Sequence, residues 1–200
     1  MIGGKNENGE INSVHKYNPD TNLWQDVVPL NVARCCVCAV ADKNFLYVIG
    51  GKADVKCLDV VEFEPERNTW SMLASTLERK LLSCGVAVRD NLFIFGGFTS
   101  SELSTSTILI EMYNPALNMW MGVRNMATPK YPMSAVSFKG NMFLIGLWTQ
   151  DGFPSCCLKV YDADKNEWKP CVSIPHGFHL SSLAPLRIPR DILLKCKDLL

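Results

Sequence analysis

A segment of about fifty residues recurs along this chain, and that repeat constrains the fold more than any other feature. In one copy, the apolar run Phe45–Ile49 ends at Gly50 and Gly51. A polar loop then leads to Phe63, and Trp70 follows seven residues later. The same order returns around three further tryptophans, which are Trp24, Trp120 and Trp168. Such a repeat predicts copies of one small unit that pack on one another.

Each unit contains four short runs separated by turn residues, which predicts four β-strands. The first two runs are almost continuously apolar, as is typical of strands covered on both faces. The third run alternates, with Val61 and Phe63 on one face and Glu62 and Glu64 on the other. The glycine pair ends the second strand, where a positive φ or very close packing is needed. Because a four-stranded sheet with two apolar faces must stack on copies of itself, the sequence predicts a β-propeller.

The motif resembles the kelch repeat, in which a glycine pair precedes Tyr-x-Pro and a tryptophan follows the tyrosine by seven residues. Tyr113-Asn114-Pro115 with Trp120 matches this pattern. Basic residues nine or ten positions after a tryptophan match the residue that opens the next kelch unit, and they are Arg34, Arg79 or Lys80, and Lys130. Two positions depart from the pattern. Leu147 replaces the second glycine of the last unit, so we expect a distorted strand end there, and Phe178 replaces a basic residue.

The resemblance implies an all-β, kelch-type propeller that is incomplete. We expect a blade remnant at residues 1–28, three full four-stranded blades at about 34–74, 80–123 and 130–170, and a lone closing-type strand at about 178–186. One domain then covers residues 1–188, and residues 189–200 form a tail that could be a short helix. Kelch rings contain more blades than this, so we expect an open arc from a longer protein. Residues 180–184 should accordingly not pair with residues 1–4 or 12–17.

The repeat positions expected to hold this fold together are Gly3, Gly4, Tyr17, Trp24, Gly50, Gly51, Phe63, Trp70, Gly96, Gly97, Tyr113, Trp120, Gly146, Tyr161 and Trp168. The four in-phase tryptophans among them are expected to be packed in the core.

Composition and charge exclude several classes of partner. The formal net charge is zero, and no run of like charges occurs, which argues against nucleic acid or an anionic membrane as a bulk partner. No apolar segment approaches the eighteen or so residues of a membrane span. The amino-terminal residues do not resemble a signal peptide. We therefore expect a cytoplasmic or nuclear protein.

Nine cysteines occur: Cys35, Cys36, Cys38, Cys57, Cys84, Cys156, Cys157, Cys171 and Cys196. A zinc site would use Cys35 and Cys38 with Cys156 and Cys157. The first pair lies on a predicted strand, where Cys36 and Cys38 share one face and Cys35 points to the other. Adjacent cysteines also converge poorly on one ion. We expect reduced, buried thiols of an intracellular protein and no metal, and a redox-sensing cysteine remains an open alternative.

No catalytic or cofactor-binding residue is predicted. His15 lies on a predicted strand surface, and His176 and His179 are flanked by Pro175 and Gly177, which argue against a helix that would bring them together. Galactose-oxidase-like enzymes share the kelch architecture, but the histidines and tyrosine of a copper site cannot be assigned here. We expect a protein that is not an enzyme.

Binding by loops is the remaining interpretation, because propeller strands form a scaffold and loops vary. The segments after the glycine pairs and those that enter each first strand should share one face. Arginine beside aromatic residues is typical of interface hot spots. For Arg34, Arg79 and Lys130 a structural role at a repeat position is the alternative, and Trp148, which is out of phase, is the strongest functional candidate. The predicted partner-binding residues are Lys52, Lys56, Arg79, Lys80, Phe98, Lys130, Tyr131, Trp148 and Phe153, with Arg124 nearby.

Propellers resembling this one often follow BTB and BACK domains in adaptors of cullin-based ubiquitin ligases, where the propeller captures the substrate. The resemblance therefore implies a protein-interaction module with a protein substrate as partner. A cullin would be reached only through a BTB domain, which these residues do not contain. The alternative is a cytoskeletal kelch scaffold that binds actin.

Overall fold

A computed structural model describes residues 1–53, 59–100, 102–123, 126, 129, 131–150, 153–162, 165, 167–169 and 172–173. For residues 131, 133, 148–150, 153–155 and 172–173 it describes the backbone alone. These residues form sixteen β-strands and no helix, so the predicted all-β class is confirmed.

The strands form four antiparallel sheets, named blades 1 to 4 in chain order. Blade 1 contains β1 (Ile2–Asn6), β2 (Gly9–Asn18) and β3 (Leu23–Val27). Blade 2 contains β4 (Cys38–Asp42), β5 (Phe45–Ile49), β6 (Val60–Glu64) and β7 (Thr69–Leu73). Blade 3 contains β8 (Cys84–Val88), β9 (Asn91–Phe95), β10 (Ile110–Asn114) and β11 (Met119–Val123). Blade 4 contains β12 (Tyr131–Phe138), β13 (Asn141–Gln150), β14 (Phe153–Asp162), β15 (Glu167–Trp168) and β16 (Val172–Ser173).

Each recurring tryptophan is paired with the aromatic residue seven positions before it. The third and fourth strands of a blade place the two residues directly opposite each other, as in Phe63 with Trp70 and Tyr113 with Trp120. The ring centroids of these two pairs lie 4.9 and 5.2 Å apart. The seven-residue spacing is therefore the register of a short hairpin.

The hydrophobic core consists of layers between successive blades. Tyr113 and Trp120 of blade 3 pack against Tyr47 and Ile49 of blade 2. On the opposite side of blade 3, Phe95 packs in a second layer with residues of blade 4. The continuous apolar runs predicted from the sequence thus lie in strands that are covered on both faces, and each aromatic pair faces the preceding blade.

A hydrogen-bonded clamp repeats at the joints between blades. At the joint of blades 2 and 3, the indole N–H of Trp120 donates to the carbonyl of Ala74 at 3.0 Å, and the Ala74 N–H donates to Asn118 Oδ1 at 2.9 Å. At the joint of blades 1 and 2, Trp70 donates to the Val28 carbonyl at 2.9 Å. The clamp therefore consists of the tryptophan and, at the joint of blades 2 and 3, the asparagine two residues before it. It binds the backbone of the residue that follows the last strand of the preceding blade. We define this arrangement as the Asn–Trp clamp.

The prediction that all four in-phase tryptophans are core residues is wrong for Trp24. Its side chain is 57% exposed, whereas Trp120 is 4% exposed. Tyr17, its aromatic partner, is also exposed at 43%. The physical reason is position in the array, because the aromatic pair faces the preceding blade, and no described residue lies on that side of blade 1.

The segments that follow the glycine positions, which are expected to be loops, are largely strands in two blades. In blade 1, β1 and β2 form a hairpin in which Asn6 pairs with Gly9. In blade 4, the pairing of β13 with β14 extends to Trp148 opposite Ser155 and to Gln150 opposite Phe153.

Where Leu147 replaces glycine, the second strand continues to Gln150. The expected distortion lies in its pairing with β12, which shifts register between Pro132 and Ser134, opposite Gly146 and Ile145.

The first strand of blade 2 is shorter than predicted. It begins at Cys38, and Cys36 before it has a φ of +56°, which is a left-handed conformation. The expectation that Cys35 and Cys36 lie on opposite faces of a strand is consequently wrong.

The sheets do not close into a ring within the described residues, in agreement with an incomplete propeller. Blade 1 has three strands, with β1 at the sheet edge. The predicted closing strand at residues 178–186, the pairing of residues 180–184 and the helix in residues 189–200 lie outside the described residues.

Candidate functional site

The blades present two different edges to solvent. One edge, which we call the loop face, carries the β1–β2 turn, the segments that follow the glycine pairs and the linkers between blades. The other, which we call the turn face, carries the tight turns between the first and second and between the third and fourth strands of each blade. Lys52, Arg79, Lys80 and Phe98, among the predicted partner-binding residues, lie in connections of the loop face, since antiparallel pairing brings those connections to one edge.

Arg34 joins blades 1 and 2 and is completely buried. Its guanidinium donates to Asp59 Oδ2 at 2.7 Å and to the carbonyl of Gly50 at 3.2 Å. Its own carbonyl accepts a hydrogen bond from the N–H of Gly4 in blade 1. Arg34 therefore has the structural role that was the alternative to partner binding. Its side chain bonds to blade 2, and its backbone bonds to blade 1.

Lys80 has the same place at the joint of blades 2 and 3. Its ammonium group lies 3.0 Å from Glu111 Oε1 and donates to the carbonyl of Leu109 at 3.2 Å. Both side chains of the ion pair are completely buried. The expectation that Lys80 lies on the surface of the loop face is wrong. A buried carboxylate needs an opposite charge, and Lys80 supplies it.

The glycine pair of blade 2 fits directly against Lys80. Gly50 has a φ of +61°, and a Cβ at this position would lie 2.4 Å from the Lys80 carbonyl oxygen. The N–H of Gly51 donates to the same carbonyl at 2.8 Å. The motif is therefore a close contact between blades rather than a simple turn signal.

Three predicted binding residues have half-buried side chains on the loop face: Lys52, Arg79 and Phe98. Lys52 exchanges two backbone hydrogen bonds with Cys35, at 2.9 and 2.7 Å. Phe98 exchanges two with Leu81, at 3.0 and 2.8 Å. These backbone pairs fix both residues and leave part of each side chain open to a partner.

For the other predicted binding residues, the structure describes either the backbone alone or nothing. Lys56, Arg124 and Lys130 lie outside the described residues. The backbones of Tyr131, Trp148 and Phe153 belong to strands of blade 4, and their side chains are outside the described part.

The serine- and threonine-rich segment after Gly97 is a folded loop. The Ser100 hydroxyl accepts hydrogen bonds from the backbone N–H groups of Ser104 and Thr105, at 3.0 and 3.2 Å. Thr99 donates its hydroxyl to the carbonyl of Thr105 at 3.2 Å. The loop adds an exposed apolar residue to the loop face, Ile108, which is 68% exposed. Sequence reasoning overlooked it because polar composition alone indicates only a loop.

On the turn face, a cleft of about 430 Å³ lies between blades 2 and 3. An ion pair of 2.5 Å between Lys43 and Asp90 lies at its edge, where both side chains are largely exposed. Tyr47 also lines the cleft, and burial, followed by the nearby Glu62 carboxylate, raises the pKa of its hydroxyl. This cleft could not be predicted from the sequence, because its lining residues come from three separate hairpins. Its lining comprises Asp42, Lys43, Phe45, Tyr47, Asp90, Asn91, Asn114, Pro115 and Ala116.

The six described cysteines, Cys35, Cys36, Cys38, Cys84, Cys156 and Cys157, are free thiols. Burial raises the pKa of the Cys38 thiol to about 12. Among the described residues, no group of three His, Cys, Asp or Glu side chains could hold a metal ion. That part of the chain also contains no helix long and apolar enough to cross a membrane.

Comparisons with known proteins give consistent matches. The family model for the Kelch motif matches residues 2–31 and 33–76. Kelch-like protein 36 of Bos taurus is 25% identical over 188 residues, covering 87% of this chain and 29% of the relative. Kelch-like protein 23 of Homo sapiens is 32% identical over 160 residues, covering 80% of this chain and 28% of the relative. The chain thus spans less than a third of the length of these relatives.

None of these matches names an enzyme family, and kelch repeats with kelch-like relatives support a protein-interaction module. The matched repeats, the similar kelch-like proteins and the four blade-like sheets together show that this chain is a kelch-repeat domain of the kind that kelch-like proteins carry.

Proposed function

We propose that this kelch domain is the substrate-recognition part of an adaptor for a cullin-based ubiquitin ligase. In this proposal the loop face binds a protein substrate, and a BTB domain in the same protein binds the cullin. The similarity to kelch-like proteins three times the length of the chain supports a recognition role within a larger protein.

The observation that carries the proposal is the fixed geometry of the loop face. Lys52 and Phe98 are held by paired backbone hydrogen bonds to the linkers of their own blades, and their side chains remain partly exposed. A surface that is already ordered loses little conformational entropy on binding, which favours specific recognition. Aromatic and arginine side chains are enriched in protein interfaces, and the loop face carries both types in Phe98 and Arg79.

We further propose a cytoplasmic or nuclear location, and the lack of disulfides among the six described cysteines is consistent with a reducing compartment. Immunofluorescence of the tagged protein, with fractionation, tests this placement, and a secreted product would contradict it.

The experiment has two tagged baits, the full-length parent protein and the 200-residue chain. The parent should co-purify a cullin together with a protein whose ubiquitylation depends on the parent. The chain should bind that same protein without the cullin. Charge reversal of Lys52 and Arg79 should weaken capture of the substrate about tenfold or more, because each change replaces a partly exposed cation of the loop face by an anion.

Arg67→Glu is the matched control on the turn face, because this side chain is 76% exposed and pairs with the nearby Glu64. It should leave capture unchanged. A full-length parent protein that binds no cullin would contradict the ligase role, and so would a substrate whose ubiquitylation does not depend on the parent protein. Co-sedimentation with filamentous actin that requires Lys52 would instead favour a cytoskeletal scaffold.

A further inference from the structure

The chain contains two Cys-Cys dipeptides, which differ in backbone conformation and in the direction of their side chains. Cys156 and Cys157 are consecutive residues of β14, so their side chains point to opposite faces of the sheet. Cys157 is completely buried, whereas Cys156 is partly exposed. Cys35 and Cys36 precede a strand instead, and the φ of +56° at Cys36 breaks the alternation. Their two sulfur atoms lie only 3.7 Å apart.

The close pair is held in place by backbone contacts on both sides. Cys35 exchanges two hydrogen bonds with Lys52, and the carbonyl of Cys36 accepts one from the N–H of Leu82 at 3.1 Å. The thiols also form a short relay, in which Cys36 donates to the Cys35 sulfur and Cys35 donates to Glu10 Oε1 at 3.8 Å. The dithiol is thus ordered before any ligand arrives.

The pair is reachable from the loop face. Cys35 is 9% exposed, and Cys36 is half-buried, so Cys36 offers the point of entry. Burial, followed by the contacts with Cys36 and Glu10, raises the pKa of the Cys35 thiol to about 11. At neutral pH this thiol therefore keeps its proton, which makes it a poor lone nucleophile. A ligand that bonds to both sulfur atoms at once therefore matches the pair better than a reagent that needs the Cys35 thiolate alone.

We propose that Cys35 and Cys36 form a vicinal dithiol site for trivalent organoarsenicals. The arsenic–oxygen double bond of the ligand is lost, and two arsenic–sulfur bonds form. The two thiol protons leave with the oxygen as one molecule of water. Arsenic remains trivalent, so the step requires no oxidant or reductant. The product is a ring that contains arsenic, both sulfur atoms and the backbone between them, and it lies beside Lys52 on the loop face.

The test uses phenylarsine oxide with the folded 200-residue chain in the absence of other thiols. Proteolysis and mass spectrometry should locate the adduct on the peptide that contains residues 35–36, and ethanedithiol should remove it. Cys36→Ser should weaken binding about a hundredfold or more, because the second bond then loses its intramolecular advantage. Cys156→Ser is the matched control and should not change binding.

Unfolding in guanidinium should abolish the selectivity, since both dipeptides are then flexible. Retained tight binding by Cys36→Ser, or equal labelling of residues 35–36 and 156–157 in the folded chain, would overturn the proposal. Circular dichroism checks that the serine variant is folded, and the adduct position in the unaltered chain decides the question if it is not. The proposal rests on the geometry of the thiols and is independent of the ligase role.

Discussion

Trp120 and Trp24 occupy the same repeat position but different environments, and their substitution by alanine should therefore differ sharply in cost. Trp120 is 4% exposed, and its indole N–H donates to the Ala74 carbonyl of the preceding blade at 3.0 Å. Trp24 is 57% exposed. It retains one aromatic contact, with Tyr17 at a centroid distance of 5.3 Å.

The magnitudes follow from burial and hydrogen bonding. Replacement of a buried tryptophan by alanine costs about 3–5 kcal/mol, because it removes apolar contact and leaves a cavity. We expect that range for Trp120→Ala. For Trp24→Ala we expect about 2 kcal/mol or less, since over half of the side chain is already in water and one aromatic pair contributes about 0.5–1.5 kcal/mol.

Substitution of each tryptophan by phenylalanine separates the contribution of the hydrogen bond from that of aromatic packing. Trp120→Phe keeps a ring in the core but leaves the partly buried Ala74 carbonyl without its donor, which should cost about 0.5–1.5 kcal/mol. Trp24→Phe should be nearly neutral, because no described residue accepts a hydrogen bond from Trp24.

Equilibrium urea unfolding followed by far-ultraviolet circular dichroism measures these differences. The midpoint should fall for the Trp120 variants while the slope stays constant, which identifies a loss of native stability. Equal losses of unfolding free energy in Trp24→Ala and Trp120→Ala would refute the conclusion that the Asn–Trp clamp packs against the preceding blade.

Three further changes test the joints between blades and the buried thiols. Lys80→Ala should cost about 3–5 kcal/mol in urea unfolding, because it removes the charge partner of the buried Glu111 carboxylate, whereas Lys43→Ala breaks an exposed ion pair and should leave the unfolding midpoint almost unchanged. Gly50→Ala should lower the free energy of unfolding by about 2–4 kcal/mol, because Gly50 has a positive φ and the added Cβ would meet the backbone of Lys80. At Gly122 the nearest atom to an added Cβ lies 3.6 Å away, so Gly122→Ala should change the free energy of unfolding by no more than about 0.5 kcal/mol. Burial raises the pKa of the Cys38 thiol from 9.0 to about 12, so the contribution of this thiol to stability is complete below pH 9 and falls as the pH rises towards 12. Unfolding free energies measured from pH 8 to 11 should accordingly decline more steeply for the native chain than for Cys38→Ala.

The repeat made most of the scaffold predictable. Pairing of Phe63 with Trp70 follows from their spacing, and coverage of both faces of β9 follows from its unbroken apolar sequence. These features are local or periodic, and periodicity can be detected in one sequence.

Features that depend on neighbouring blades could not be predicted in the same way. The exposure of Trp24 depends on its place at the end of the described array, although its sequence context matches that of Trp120. Lys80 resembles a surface lysine in sequence, and only the buried Glu111 from another strand explains its position. The convergence of Cys35 and Cys36 arises from one left-handed residue, which cysteine content does not indicate.

The most direct measurement of the binding role compares the two edges of the arc with matched charge reversals. Lys52→Glu alters the loop face, and Lys43→Glu alters the turn face beside the cleft of about 430 Å³. Affinity of the chain for the substrate identified with the full-length protein should be measured by isothermal titration calorimetry for both variants. Recognition by the loop face predicts about a tenfold weaker Kd for Lys52→Glu and an unchanged Kd for Lys43→Glu. Loss of affinity in Lys43→Glu with full binding by Lys52→Glu would contradict it and move the site to the turn face.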